Sequence, residues 1–357
     1  MTQALVSSFR GIVCDLDGVV YRSHEPIPYA VEALETARGD GVSIAYATNN
    51  AGREPAVVAA QLRELGLDAP TDSVVNSSMA GAAYLADSLP ADATVLAVGG
   101  PGVSTALSEV GLRPVRASDA DRSAGEKPLA VLQGYGPEVS WRDLAVAAFA
   151  IQAGAQWVAT NLDATIPTSD GIAPGNGSLV QAVRAAVSVD PVAVGKPETP
   201  LYELCARRLG CRNDQILAIG DRLDTDIIGA NRAGMPSLLV TTGVHQVEAV
   251  CAADDESRPR YLAVDLRALH APYTDPIVDS DSDGHRWTGR CGEATVSLRD
   301  GQVVLGDSGC PETRLRALVA LVWAARDARD RAPATTLGID DETWRRISDW
   351  LAPGDPR

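Results

Sequence analysis

The sequence predicts an α/β fold: a doubly wound parallel-sheet core, an α/β cap domain inserted into it, and a small C-terminal α+β domain. Three observations lead there. Short apolar runs rich in β-branched residues alternate with helical patterns, as in a parallel sheet covered on both faces. Each run stops abruptly at polar residues, and sheets of this kind bind ligands at the carboxyl ends of their strands. After Pro272 the pattern changes to an Asp-, Ser- and Pro-rich stretch, followed by a hairpin and two helices.

The first run, Gly11-Ile12-Val13-Cys14, leads into Asp15-Leu16-Asp17-Gly18. Residues two apart on an extended segment point the same way, so Asp15 and Asp17 can converge just past the strand end. Gly18 lets the chain turn away sharply. Two anions held this close repel unless a cation or a shared proton intervenes. Mg²⁺, bound by one or two carboxylates plus substrate phosphate oxygens, answers that need. Alone, the motif is equally compatible with a solvated Asp-Gly turn.

Three further runs repeat the pattern. Val42-Ser43-Ile44-Ala45-Tyr46-Ala47 leads to Thr48-Asn49-Asn50, and Pro191-Val192-Ala193-Val194 leads to Gly195-Lys196-Pro197. Gln215-Ile216-Leu217-Ala218-Ile219 leads to Gly220-Asp221-Arg222-Leu223-Asp224-Thr225-Asp226. The expectation is one crevice holding Asp15, Asp17, Thr48, Lys196 and Asp221. Helices over 28–38 and 54–65, and a third from Ser77, complete the first part of the core, 1–81.

Residues 82–180 read as the inserted cap. There Ala93-Thr94-Val95-Leu96-Ala97-Val98 ends in Gly99-Gly100-Pro101-Gly102 before a helical pattern. Thr105 stands where a dinucleotide loop has its third glycine, and Pro101 lacks a backbone donor, so a cap turn is expected. The stretch 144–159 reads as a helix running into a strand. The loop after it, 160–178, carries Asn161 and Asp163, which could face the site entrance; a self-capped structural turn accounts for them equally well.

Residues 181–272 read as the second part of the core, with helices over 200–209 and 226–232 and a strand over 237–242. Residues 273–284 read as a linker. Within it Asp279-Ser280-Asp281-Ser282-Asp283-Gly284 resembles a calcium loop, but Arg290 stands where the EF-hand pattern requires glutamate. In the last domain, 285–357, two short strands joined by Arg299-Asp300-Gly301 read as a hairpin. A helix over 312–329 follows, with Leu315, Leu318, Val319, Val322 and Trp323 on one face, and a last helix spans 340–351. This tail carries no catalytic cluster and is expected to dock, oligomerise or regulate.

Composition bounds the function. A formal charge of −16 and a pI near 4.7 disfavour nucleic acid or an anionic membrane as partner. No leader pattern or membrane-spanning apolar stretch is apparent, and the six cysteines are scattered, so a reducing cytoplasm is expected. Of 31 basic residues only Lys127 and Lys196 are lysines. Keeping a lysine before Pro197, in a chain that otherwise uses arginine, suggests a need for a compact point charge there.

These residue types suit phosphoryl transfer. One carboxylate can attack phosphorus while a second protonates the leaving alkoxide and then activates water. A hydroxyl and an ammonium can hold the phosphoryl oxygens, and the acidic loop at Asp221 can complete a metal shell begun at Asp15. The ordered motifs DLDGVVY, ATNN, GKP and GDRLDTD resemble the signatures of the haloacid dehalogenase (HAD) superfamily, and their spacing resembles its subclass IIA capped phosphatases over residues 9–270.

By that resemblance Asp15 is the nucleophile and Asp17 the acid/base, with the Asp17 carbonyl also on Mg²⁺. Thr48, Asn49, Asn50 and Lys196 bind phosphate, Asp221 ligates the metal, and Asp226 supports the metal shell or Lys196. It implies a Mg²⁺-dependent phosphomonoesterase acting through an aspartyl-phosphate on a small phosphorylated metabolite. Glycerol 3-phosphate or 2-phosphoglycolate is favoured; a nucleotide monophosphate or pyridoxal phosphate is the alternative. Ile166 stands where some vertebrate members carry a substrate-binding histidine, so their preferences do not transfer. A homo-oligomer through cap or tail is compatible with the pattern. A binding or scaffold protein on the same fold is the non-enzyme alternative, and loss of a catalytic residue would be its mark; all five are present.

Overall fold

The computed structural model describes residues 3–120, 127–168, 171–281, 286–299, 302–329, 337 and 339–351. The chain divides into two compact units, Met1–Ser43 with Asp214–Arg357, and Ile44–Asn213.

The first unit holds four parallel strands in the order Tyr261–Ala263, Ser237–Val240, Ile216–Gly220, Gly11–Cys14. Gly11 pairs with Ile216 and Cys14 with Ile219. Both strands are buried along their whole length, so they read as continuous apolar runs, without alternation. Beyond Gly220 the chain makes a π-helical turn, Leu223–Ile227, before the short helix Ile228–Arg232. The helix expected over 226–232 therefore begins as a wide turn, a device common at functional sites.

The same unit carries the tail. Strands Ile277–Ser280, Arg286–Cys291, Ala294–Arg299 and Gln302–Leu305 form an antiparallel sheet in that order. The expected hairpin is its last pair; Asp300 and Gly301 of its turn lie outside the described residues, as do Ser282, Asp283 and Gly284. The stretch read as a linker contains a strand, in which Ile277 pairs with Arg290 and Ser280 with Trp287. Its polar composition is that of an exposed sheet edge.

Helix Pro311–Asp327 then buries Leu315, Leu318, Val319 and Val322. These join Leu223, Ile227, Leu239, Val247 and Val250 in one apolar cluster with Val296 and Leu298 of the tail sheet. Trp323 Nε1 donates to Val250 O at 2.8 Å, and Arg258 grips Asp327 through two 2.7 Å bonds. The tail thus shares its core with the parallel strands.

The second unit contains a five-stranded parallel sheet, ordered Val192–Ala193, Gln156–Ala159, Ala130–Gln133, Thr94–Val98, Arg113–Val115. The Pro191–Val194 run, expected to return to the core sheet, pairs instead beside Gln156–Ala159. Helix Trp141–Gln152 starts in a capping box of Ser140 and Asp143 and packs Ala147, Ala148 and Ile151 onto this sheet. A parallel pair, Ser43–Thr48 with Val74–Asn76, leads into helix Ser77–Ala86. Among the described residues no helix is long and apolar enough to cross a membrane.

Candidate active site

In the first unit the parallel register sets Asp15 and Asp221 just past the ends of adjacent strands, and the Asp15 N–H donates to Ile219 O at 2.9 Å. One carboxylate oxygen each from Asp15, Asp221 and Asp226 lies within 4.8 Å of the others. Asp221 is fully buried and Asp226 nearly so. Asp17 is exposed and lies outside this trio.

Two glycines make the room. A Cβ on Gly18 (φ +86°) or on Gly243 would overlap the Asp221 carboxylate, so only hydrogen allows the backbone to close around it. The Val244 N–H then donates to Asp221 Oδ2 at 2.6 Å. Asp226 Oδ2 accepts from the Arg222 N–H at 3.1 Å. His245 sits on the same loop. Its Nδ1 accepts from the Leu223 N–H at 2.8 Å, and burial lowers its pKa, opposed by the nearby Asp224. It is the neutral brace of the acidic loop.

This set of oxygens fits a hard divalent cation. Three carboxylates this close repel one another, and there is no nitrogen or sulfur donor in the group to favour a softer ion.

In the second unit the Thr48-Asn49-Asn50 loop is locked from several sides. Asn49 Oδ1 accepts from the Lys196 N–H at 2.8 Å, while Asn49 Nδ2 donates to Lys196 O at 2.9 Å and to Asp163 Oδ2 at 3.1 Å. Asn161 Nδ2 donates to Asn49 O at 2.8 Å, and Ser77 Oγ donates to the same oxygen at 2.8 Å. Thr48 is buried, and its Oγ1 accepts from the Asn50 N–H at 3.1 Å; Asn50 Oδ1 accepts from the Gly52 N–H at 3.2 Å. Lys196 is 5% exposed, with Nζ donating to Ala47 O at 3.2 Å. Its charge is felt at Cys205, where burial pushes the thiol up to about 12 and Lys196 and Arg208 pull it back.

Thr48, Asn49, Asn50, Asn161, Asp163 and Lys196 therefore form one hydrogen-bonded group. Within it the Asn49 and Asn161 side chains are braces, their amides being spent on backbone and on Asp163. Sequence reasoning missed Ser77 and Ser78, which hold Asn49 O and Ala51 O; their only signal is a Ser-Ser pair opening a helix. It missed Gly243 and Val244 too, which belong to no motif. The glycine run at 99–102, expected as a cap turn, opens helix Pro101–Glu109 and serves packing as well: Cβ atoms on Gly100 and Gly102 would collide with the Gly52 and Ala51 carbonyls, which occupy that helix start.

Residues 12–113 match the model of haloacid dehalogenase-like hydrolases, and residues 193–269 match a second, HAD-hydrolase-like model. A D-glycerol 3-phosphate phosphatase of Mycobacterium tuberculosis is 44% identical over 259 residues, covering 72% of this chain and 70% of the relative. A 5'-nucleotidase of Bacillus subtilis is 35% identical, covering 75% of this chain and 100% of its own. The crystal structure of a glycerol phosphate phosphatase from Mycobacterium tuberculosis in complex with magnesium superposes with a TM-score of 0.79 at 35% identity, covering 98% of this chain and 99% of that one. That overlap takes in the tail as well as the motifs. The chain belongs to the haloacid dehalogenase-like hydrolases.

Proposed function

We propose that this chain is a Mg²⁺-dependent phosphomonoesterase that hydrolyses glycerol 3-phosphate through an aspartyl-phosphate. The convergence of Asp15, Asp221 and Asp226 carries this reading, because it is the feature a passive binding protein would not need. The 44% identity to a D-glycerol 3-phosphate phosphatase supports the choice of substrate.

In this mechanism an Asp15 carboxylate oxygen attacks phosphorus, and the exposed Asp17 gives its proton to the departing alkoxide. Asp17 then takes a proton from the water that cleaves the acyl phosphate. Thr48 and Lys196 hold the phosphoryl oxygens, and Asn49 fixes the loop that carries Lys196. Asp15, the Asp17 carbonyl and Asp221 would hold Mg²⁺, with Asp226 beside them. When bound, the ion neutralises charge on the phosphoryl group.

Phosphate release from the purified protein across glycerol 3-phosphate, 2-phosphoglycolate, nucleoside monophosphates and pyridoxal phosphate tests the reading. Glycerol 3-phosphate should have the highest kcat/KM; a flat or absent response to every ester would sink it. A nucleoside monophosphate is the second reading, favoured by the full-length match to a 5'-nucleotidase. We also propose a cytoplasmic enzyme, in line with six free cysteines, and a homo-oligomer. Trp141 and Phe149, 81% and 63% exposed on one helix, support the latter. Light scattering decides it.

A further inference from the structure

Between the turn Leu266–His270 and the start of helix Pro311–Asp327 the first unit contains a cavity of about 450 Å³, a size typical of small-molecule sites. Its wall includes Arg267, Arg316, Cys310, Glu312 and Thr313, and none of the carboxylate trio. We propose that this cavity binds a small anionic metabolite, a phosphate ester or a carboxylate, at a site separate from the catalytic residues.

Two independent features point to an anion. The first is Arg316, only 5% exposed. Its Nε donates to Leu262 O at 2.9 Å, and its guanidinium lies 3.9 Å from the Tyr273 ring centroid and against the Cys291 thiol. Among the described residues no carboxylate forms an ion pair with it. Arg267, by contrast, is held by Asp265 at 2.7 Å. A buried guanidinium without a counter-charge is costly, and an anion in the adjoining space removes that cost.

The second feature is the mouth of the helix. Pro311 has no N–H, the Cys310 side chain does not cap, and the first backbone bond to the N-cap residue runs from Arg314 N to Cys310 O. The N–H groups of Glu312 and Thr313 make no hydrogen bond to a described residue, and both residues line the cavity. The helix is 17 residues long, so its positive end is well developed. Glu312 is the one carboxylate on the wall, and with Arg267 already held by Asp265 it is Arg316 that would meet an anion.

Cys310 provides the readout, being the exposed thiol of the six. The full-length protein is treated with N-ethylmaleimide in chloride, inorganic phosphate or succinate at matched ionic strength, and alkylation at each cysteine is followed by peptide mass. Phosphate or succinate should slow Cys310 severalfold and leave Cys211 unchanged. Protection by phosphate alone assigns a phosphate ester, by succinate alone a carboxylate, and by both the shared anion chemistry. R316M should abolish the protection. Because Arg316 is buried, R267Q is run in parallel, with circular dichroism on both, and should weaken it. No protection by either anion in the wild type, or full protection in both variants, overturns the proposal.

Discussion

The two candidate groups, one in each unit and each half of the proposed machinery, are built on opposite principles. Around Asp221 the chain gathers like charges and makes space for them with glycines at 18 and 243. Around Lys196 it gathers amides and hydroxyls, and nearly every polar atom is answered by another. The first arrangement is electrostatically strained and asks for a cation; the second is already satisfied and rigid. The difference teaches that one half depends on what binds to it, and the other on what holds it.

The largest effect should come from breaking the charged half. Asp15→Asn should eliminate phosphate release while circular dichroism stays unchanged, since the amide is nearly isosteric but cannot attack phosphorus. Asp17→Asn should lower kcat by about 10²–10⁴, the usual worth of a general acid. Removing metal with EDTA should likewise abolish turnover, and Mg²⁺ should restore it; full activity in metal-free buffer would refute the assignment of the trio.

Truncation after Pro272 comes next. It strips Leu315, Leu318, Val319 and Val322 from a core shared with Leu223, Ile227 and Leu239. The loss of several buried side chains, at about 2–5 kcal/mol each, exceeds what a typical domain can bear. The shortened chain should therefore lose cooperative thermal unfolding. A stable, active truncate would show that the tail is dispensable.

Gly243→Ala sharpens the contrast. It should displace Asp221 and weaken Mg²⁺ activation by about 10–100-fold, as changes around a ligand do. The smallest effect belongs to the satisfied half. Asn49→Ala leaves the Lys196 N–H and carbonyl without their partners and should cost about 1–3 kcal/mol in stability. The Mg²⁺ concentration for half-activation should not move. If it moves as far as in Gly243→Ala, the two halves are not separable in this way.

The charged half was the more legible in sequence. Asp15 and Asp221 each follow a buried apolar run, and a two-residue period is a local signal. The glycine at 243 was not legible, because it meets Asp221 from another loop with no pattern of its own. The brace role of Asn49 was hidden for the same reason: its partners lie at 163 and 196. The edge strand Ile277–Ser280 looked like a linker because an exposed edge and a linker draw on the same polar residues. Val192–Ala193 was visible as a strand, but two residues carry no information about which sheet they join.

The pairing of Gly11 with Ile216 has a consequence for biosynthesis. The first strand leaves the ribosome about 200 residues before its neighbour exists, which at 5–20 residues per second is a wait of about 10–40 s. Throughout that interval the edge of this apolar segment that will face Ile216 lacks its partner strand, so the nascent chain is a natural client for holding chaperones. Slowing translation between the two strands should lengthen that exposure and raise the aggregated fraction without any change in the sequence.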